Sequence, residues 1–178
     1  MPGILDGCMG IQASYQRVKP DAFHAALENQ ASFHRLVDER YERGAELEEK
    51  GEYLEIDKEW QSIHYLLTGK VEWDTTTVPP PLGNVVMGGT NTPYDATYDY
   101  FRYLTPAEVK DVANALSGIP PEELRARNAN ATEATYKNVP PAEWDDEYWE
   151  FILGLYGQIR TFFAAAASAG EVVILSYD

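Results

Sequence analysis

Alternation opens the chain. Ile11, Ala13 and Tyr15 are apolar, and Gln12, Ser14 and Gln16 between them are polar. This predicts a half-buried strand over residues 9–18. Pro20 stands where a helix accepts proline, at its first position, and opens a predicted helix over 21–29. Phe33, Leu36 and Val37 carry an apolar face into a second helical stretch. Beyond Val37 the chain turns to charge, Gly44 and Gly51 interrupt the helical pattern, and residues 38–59 read as a solvated helix face plus loops. The pattern resumes at Asp57, a predicted N-cap with Ile56 before it and Ile63 after it. That helix runs to about Leu67 and ends at Gly69.

Pro79-Pro80-Pro81 and Gly88-Gly89 punctuate a loop, with a short helix predicted between them over 82–87. Tyr98, Tyr100, Phe101 and Tyr103 predict a second strand near 98–104. Thr105-Pro106-Ala107-Glu108 is a capping box with proline at the first helical position. The helix it starts buries Val109, Val112, Ala113 and Leu116, and Gly118 stops it. Pro120-Pro121-Glu122-Glu123 begins another short helix, through Arg127.

The last helix is the longest. Trp144, Tyr148, Phe151, Leu155, Ile159, Phe162 and Ala166 recur at helical spacing and mark one apolar face over 143–169, roughly 40 Å of helix. Its acidic start (Glu143, Asp145, Asp146, Glu147) suits the positive helix N-terminus. Gly154 and Gly157 each cost about 1 kcal/mol against alanine in mid-helix, and read as close packing against a neighbour or a mild bend. Gly170 ends the helix, and Val172-Val173-Ile174-Leu175 reads as a final buried strand. The order of elements predicts an α+β fold: a small β-sheet packed with a helical majority, and a long C-terminal helix followed by a final strand.

Composition supports a packed core. The chain has 178 residues, 44% of them hydrophobic and 12% aromatic. Residues 1–8 read as an extension or tag remnant ahead of a single domain over 9–178. Cys8 is the only cysteine, so no internal disulfide forms, and a reducing cytoplasm is the expected location. Cys8 itself reads as a passive thiol. No apolar run is long enough to span a membrane. Asn130-Ala131-Thr132 fits a glycosylation sequon of the kind that arises by chance.

Charge narrows the partners. Fourteen Lys and Arg against 29 Asp and Glu give a net charge of −15. No basic patch exists to neutralise phosphates, so neither nucleic acid nor an anionic membrane is an expected partner. A basic protein is. The surplus is concentrated: ten acids against four bases leave −6 over 38–59, and five acids without a base leave −5 over 140–150.

The motifs of common chemistries are missing. There is no phosphate-cradling Gly-rich loop with Lys-Ser/Thr, no Gly-x-Ser-x-Gly elbow and no His-Glu-x-x-His. No metal site and no cofactor is expected. One constellation stands out. On the helix after Asp57, Trp60 and His64 are four residues apart and share a face with Asp57 and Thr68. Such a histidine serves either as a proton shuttle or, more commonly, as a half-buried residue with one satisfied hydrogen bond. His24 and His34 read as structural or surface residues.

Met9-Gly10-Ile11-Gln12-Ala13-Ser14-Tyr15 resembles the start of the YfbM-like family of bacterial proteins, domain of unknown function 1877. Ile56-Asp57-Lys58-Glu59-Trp60, with Ile63-His64-Tyr65-Leu66-Leu67-Thr68-Gly69, is similar to that family's central motif. Arg102-Tyr103-Leu104-Thr105-Pro106-Ala107-Glu108-Val109 is similar to its second block. The resemblance covers nearly the whole chain. It implies an α+β fold and a bacterial protein, and it implies no activity. It directs attention to Asp57, Lys58, Trp60, His64, Thr68, Gly69 and Arg102, which fall in the motif blocks.

Two function classes follow. The first is a non-enzymatic interaction module, monomer or homodimer, whose acidic runs mask a basic partner as immunity proteins and antitoxins mask nuclease-like toxins. The alternative is a small-molecule or enzymatic site lined by Asp57, Trp60, His64 and Arg102: tryptophan stacks a planar ligand, arginine holds an anionic group, histidine moves a proton.

Overall fold

The computed structural model describes residues 10–71, 78–128, 139 and 144–178. Cys8, Glu143 and the sequon at Asn130 lie outside them. Five antiparallel strands form one sheet in the order β2-β1-β5-β4-β3. They are β1 (Ala13–Val18), β2 (Tyr53–Asp57), β3 (Thr90–Asp95), β4 (Tyr100–Leu104) and β5 (Val172–Tyr177). The helices are α1 (Pro20–Leu27), α2 (Gln30–Glu49), α3 (Trp60–Thr68), α4 (Pro106–Ser117), α5 (Pro121–Arg127) and α6 (Asp146–Ala169). The α+β architecture with a long last helix and a closing strand is the one the pattern predicts.

The last strand sits at the centre. β5 is buried along its whole length, as its unbroken apolar run requires of a strand covered on both faces. Its side chains alternate. Val173, Leu175 and Tyr177 join the larger core cluster, which includes Val109, Leu116, Leu124, Ile152, Ile159 and Phe163. Val172 and Ile174 face the other way, into a smaller cluster with Phe23, Phe33, Val37 and Phe101. The domain is therefore three layers: α1 and α2, then the sheet, then α3 to α6.

Local signals hold at most helix ends. Thr105 and Glu108 form the reciprocal capping box of α4. Gly69 and Gly170 end α3 and α6 in the left-handed conformation. Gly89 has a φ of +89°, and a Cβ there would lie 2.7 Å from the Tyr103 carbonyl oxygen, so only glycine fits.

The structure departs from the local expectations at several points. β1 begins at Ala13, not at residue 9, with Gln12 instead bonded through its backbone to Asp178. The helical pattern is interrupted at Arg43 (φ −128°, ψ 18°), beside the expected Gly44, but α2 resumes beyond the kink to Glu49, and the charged stretch then supplies a strand, β2. Leu54 and Ile56 alternate with Glu55 and Asp57 there, a strand pattern that the density of acids obscures. Asp57 does not cap α3. It closes β2 at a register shift with φ +45°, Glu59 occupies the cap position, and no side chain caps the helix. β3 gives no sequence signal, because an edge strand carrying Pro93 needs no alternation. On α6 the predicted Leu155, Ile159, Phe162 and Ala166 are buried, but the buried face is broader than that stripe and leaves Phe151 out. Trp149, Ile152, Tyr156 and Phe163 are buried, while Phe151 is 53% exposed. Nor do Gly154 and Gly157 mark close packing, since a Cβ at either would meet nothing within 4 Å.

Candidate functional site

Apart from Gly69, the helix stop, the six residues that the motifs single out divide between core, strand end and turn. Trp60 is 2% exposed, donates its indole N–H to the Ile11 carbonyl at 3.1 Å, and stands edge-on to the Tyr177 ring at 5.8 Å. Asp57 is exposed and accepts from the Gln12 side chain at 2.9 Å, so Asp57 and Trp60 together tie down the segment before β1. His64 is 4% exposed. Thr68 donates its hydroxyl to the His64 carbonyl at 2.7 Å, and Lys58 is exposed. Arg102, on β4, donates to the Met87 carbonyl and pairs with Asp99 at 2.5 Å. The Tyr177 hydroxyl donates to the neighbouring Val86 carbonyl, so Tyr177 and the 86–87 turn stand between the Trp60 ring and Arg102. Thr68 lines a 260 Å³ cavity with Tyr65, Arg127 and Asn128. None of the six lines the cavities beside β2 or the one beside α4. Among the described residues no cluster of His, Cys, Asp and Glu could hold a metal ion, and no helix is long and apolar enough to cross a membrane.

A different constellation lies on the α2 face of the sheet, around Arg40. Its side chain is 4% exposed. One guanidinium nitrogen donates to the Ser176 hydroxyl and, at 3.3 Å, to that of Ser14. The other pairs with Asp178 at 2.7 Å and donates to the Tyr41 hydroxyl at 2.9 Å. Ser14 and Ser176 hydrogen-bond each other at 2.8 Å across the β1–β5 pair. Counting Arg40 among the solvated bases of the charged stretch misses this. The signal is periodicity: Phe33, Val37, Arg40, Gly44 and Leu47 fall on one helical stripe, and four of these five are buried. An arginine on that stripe has to enter the core and find acceptors there.

Outside this pair, the 38–59 stretch is an acidic surface with few counter-charges. Arg43 grips Glu46 with two nitrogens at 3.0 and 2.9 Å and reaches Glu39 at 3.2 Å, and Lys50 adds to Glu46 at 2.5 Å. The Arg43 hydrogen bond, then that of Lys50, lowers the Glu46 pKa to about 2. A carboxylate so depressed keeps this pairing at neutral pH and loses it only as pH falls toward that value. Glu55 behaves oppositely. Partial burial, then the Asp57 and Glu48 charges, raise its pKa. The fold therefore holds Glu55 against like charges. A 240 Å³ cavity opens here, walled by Arg40, Tyr41 and Gly44 and rimmed by Glu48, Glu55 and Asp178. On the opposite face of the sheet a 570 Å³ groove runs between β2 and α6, over Leu54 and Phe162.

An antiparallel sheet between two helical layers, with an acidic helix and edge strand on one flank, defines a small α+β protein. The chain belongs to the family described as "Domain of unknown function (DUF1877)", whose profile matches residues 9–176. Among solved structures it is similar to YfbM from Escherichia coli, itself a protein of unknown function. The identity is 16%, the match covers 94% of this chain and 99% of that one, and the TM-score is 0.64. At that identity the likeness establishes the fold alone. No curated protein matches the chain.

Proposed function

We propose that this protein is a non-enzymatic interaction module that docks a basic partner protein on the acidic face formed by the C-terminal half of α2 and by β2. One observation carries the reading. Of the ten acids in 38–59, only Glu39 and Glu46 lie within ion-pair distance of a cation among the described residues. Two of the four bases in the same stretch are engaged in those pairs, and a third, Arg40, is buried against Asp178. A surface that leaves most of its carboxylates unpaired repels itself and attracts a cationic surface, with fast, salt-sensitive association.

The test is affinity capture from native lysate at low and at moderate salt. The baits are the wild-type protein and a Glu48→Lys/Glu49→Lys/Glu55→Lys variant, all three positions being exposed. The expected result is a stoichiometric basic partner on the wild type at low salt, depleted at moderate salt and absent from the variant. No stoichiometric partner at either salt sinks the proposal.

A further inference from the structure

We infer that β2 is a docking edge to which an extended segment of a basic partner adds as a sixth strand, placing basic and apolar side chains alternately in the cavities on the two faces of the sheet. The inference rests on the acidic-face reading and assigns the partner's geometry.

The edge is open in the right register. Among the described residues β2 has β1 as its sole strand neighbour. The Arg17 N–H donates to the Glu52 carbonyl at 2.8 Å. Antiparallel alternation from that bond turns the backbone of Leu54 toward β1 and the N–H and C=O of Tyr53 and Glu55 outward. An added strand pairs with those two residues. Its side chains opposite Tyr53 and Glu55 fall on the α2 face, and the one opposite Leu54 falls on the α6 face.

Each face offers a matching receptacle. On the α2 face is the 240 Å³ cavity rimmed by Glu48, Glu55 and Asp178. On the α6 face is the 570 Å³ groove over Leu54 and Phe162. Tyr53 and Glu48 line both. The three mid-helix glycines point the same way. Gly44 lines the acidic cavity, and Gly154 and Gly157 line the groove. None has a positive φ, and a Cβ on any of them would touch nothing within 4 Å. Neither backbone conformation nor packing requires glycine there, yet each costs about 1 kcal/mol against alanine. What each preserves is open space beside β2.

Charge selects the occupant. Glu55 and Asp57 stand on the edge strand itself, and such charges deter indiscriminate strand pairing. A second copy of the chain would bring the same acids edge to edge. A segment reading basic–apolar–basic meets carboxylates on the α2 face and the groove on the other.

The experiment titrates the full-length protein into two fluorescein-labelled peptides of one composition, one alternating lysine and valine, the other with the lysines and valines in separate blocks. The alternating peptide is expected to bind at least about tenfold more tightly, a difference readily resolved by anisotropy. It is also expected to slow amide hydrogen exchange at Tyr53 and Glu55. Glu55→Lys should abolish binding. Gly157→Leu, which fills the groove while favouring helix, should erase the preference. Equal affinity for the two peptides, or unchanged exchange at Tyr53 and Glu55, overturns strand addition and leaves the acidic docking face standing. Failure of both peptides to bind at low salt removes both readings.

Discussion

Asp178→Ala is expected to destabilise the fold by about 3–5 kcal/mol, the range for removing one partner from a buried ion pair. The size follows from what remains. Arg40 is 4% exposed at its side chain, so the guanidinium left behind cannot recover hydration. The serine hydroxyls accept from it but carry no compensating charge. Arg40→Met should cost less, about 1–2 kcal/mol, the scale of a lost hydrogen-bonded group. The asymmetry comes from exposure: Asp178 is 28% exposed and can turn to water, and methionine refills the space of the arginine stem. The double variant should fall well short of the sum, because removing both charges leaves nothing buried and unpaired. Urea denaturation of the four proteins measures this cycle. Strict additivity would show that the pair does not hold α2 to the sheet.

Trp60→Ala should cost about 3–5 kcal/mol, as large-to-small changes at fully buried aromatic sites do. Two losses add. The indole leaves a void beside Tyr177, and the Ile11 carbonyl loses its donor. Trp60→Phe separates them: it keeps most of the volume, drops the N–H, and should cost about 1–3 kcal/mol. This pair of variants also decides between the two roles open to Trp60. At 2% exposure the ring has no face to offer a planar ligand, so its contribution is to position the segment leading into β1. A Trp60→Ala protein as stable as the wild type in the same denaturation experiment would reverse that conclusion.

Trp60 and Arg40 differ in how far the local sequence determines their burial. Trp60 sits in a short helix whose end is written locally: Gly69 stops it, and Ile63, Leu66 and Leu67 mark its core side. Its burial follows from spacing. Whether Trp60, His64, Asp57 and Arg102 converge does not, because Asp57 and Arg102 belong to strands on opposite sides of β1 and β5. Arg40 was masked by its neighbours. In a stretch of ten acids and four bases, averaging over the segment describes a solvated surface, and only the helical phase shared with Phe33 and Val37 sets this one base apart.

The edge strand tells the same story in reverse. Leu54 and Ile56 alternate correctly, but an alternation of two apolar residues among acids is a weak signal until another strand is there to pair with it. β1 supplies that pairing from forty residues away, along with the bulge that twists Asp57 into positive φ and takes it off the helix cap.

What the chain determines by itself is therefore the set of features whose signal is local. The Thr105 capping box, the glycine stops at Gly69 and Gly170 and the proline starts of α1, α4 and α5 settle helix ends within a few residues, and the apolar run of β5 marks a buried strand, although its backbone partners are the distant β1 and β4. Net charge belongs with them, since it is a sum that folding leaves unchanged. Tertiary structure alone decided that Phe151 is left exposed on α6, which partners Arg40 meets inside, that β2 is an edge, and that Gly44, Gly154 and Gly157 border open space. Each of these depends on which surfaces are removed from water together, and that is a property of the packed layers rather than of any one segment.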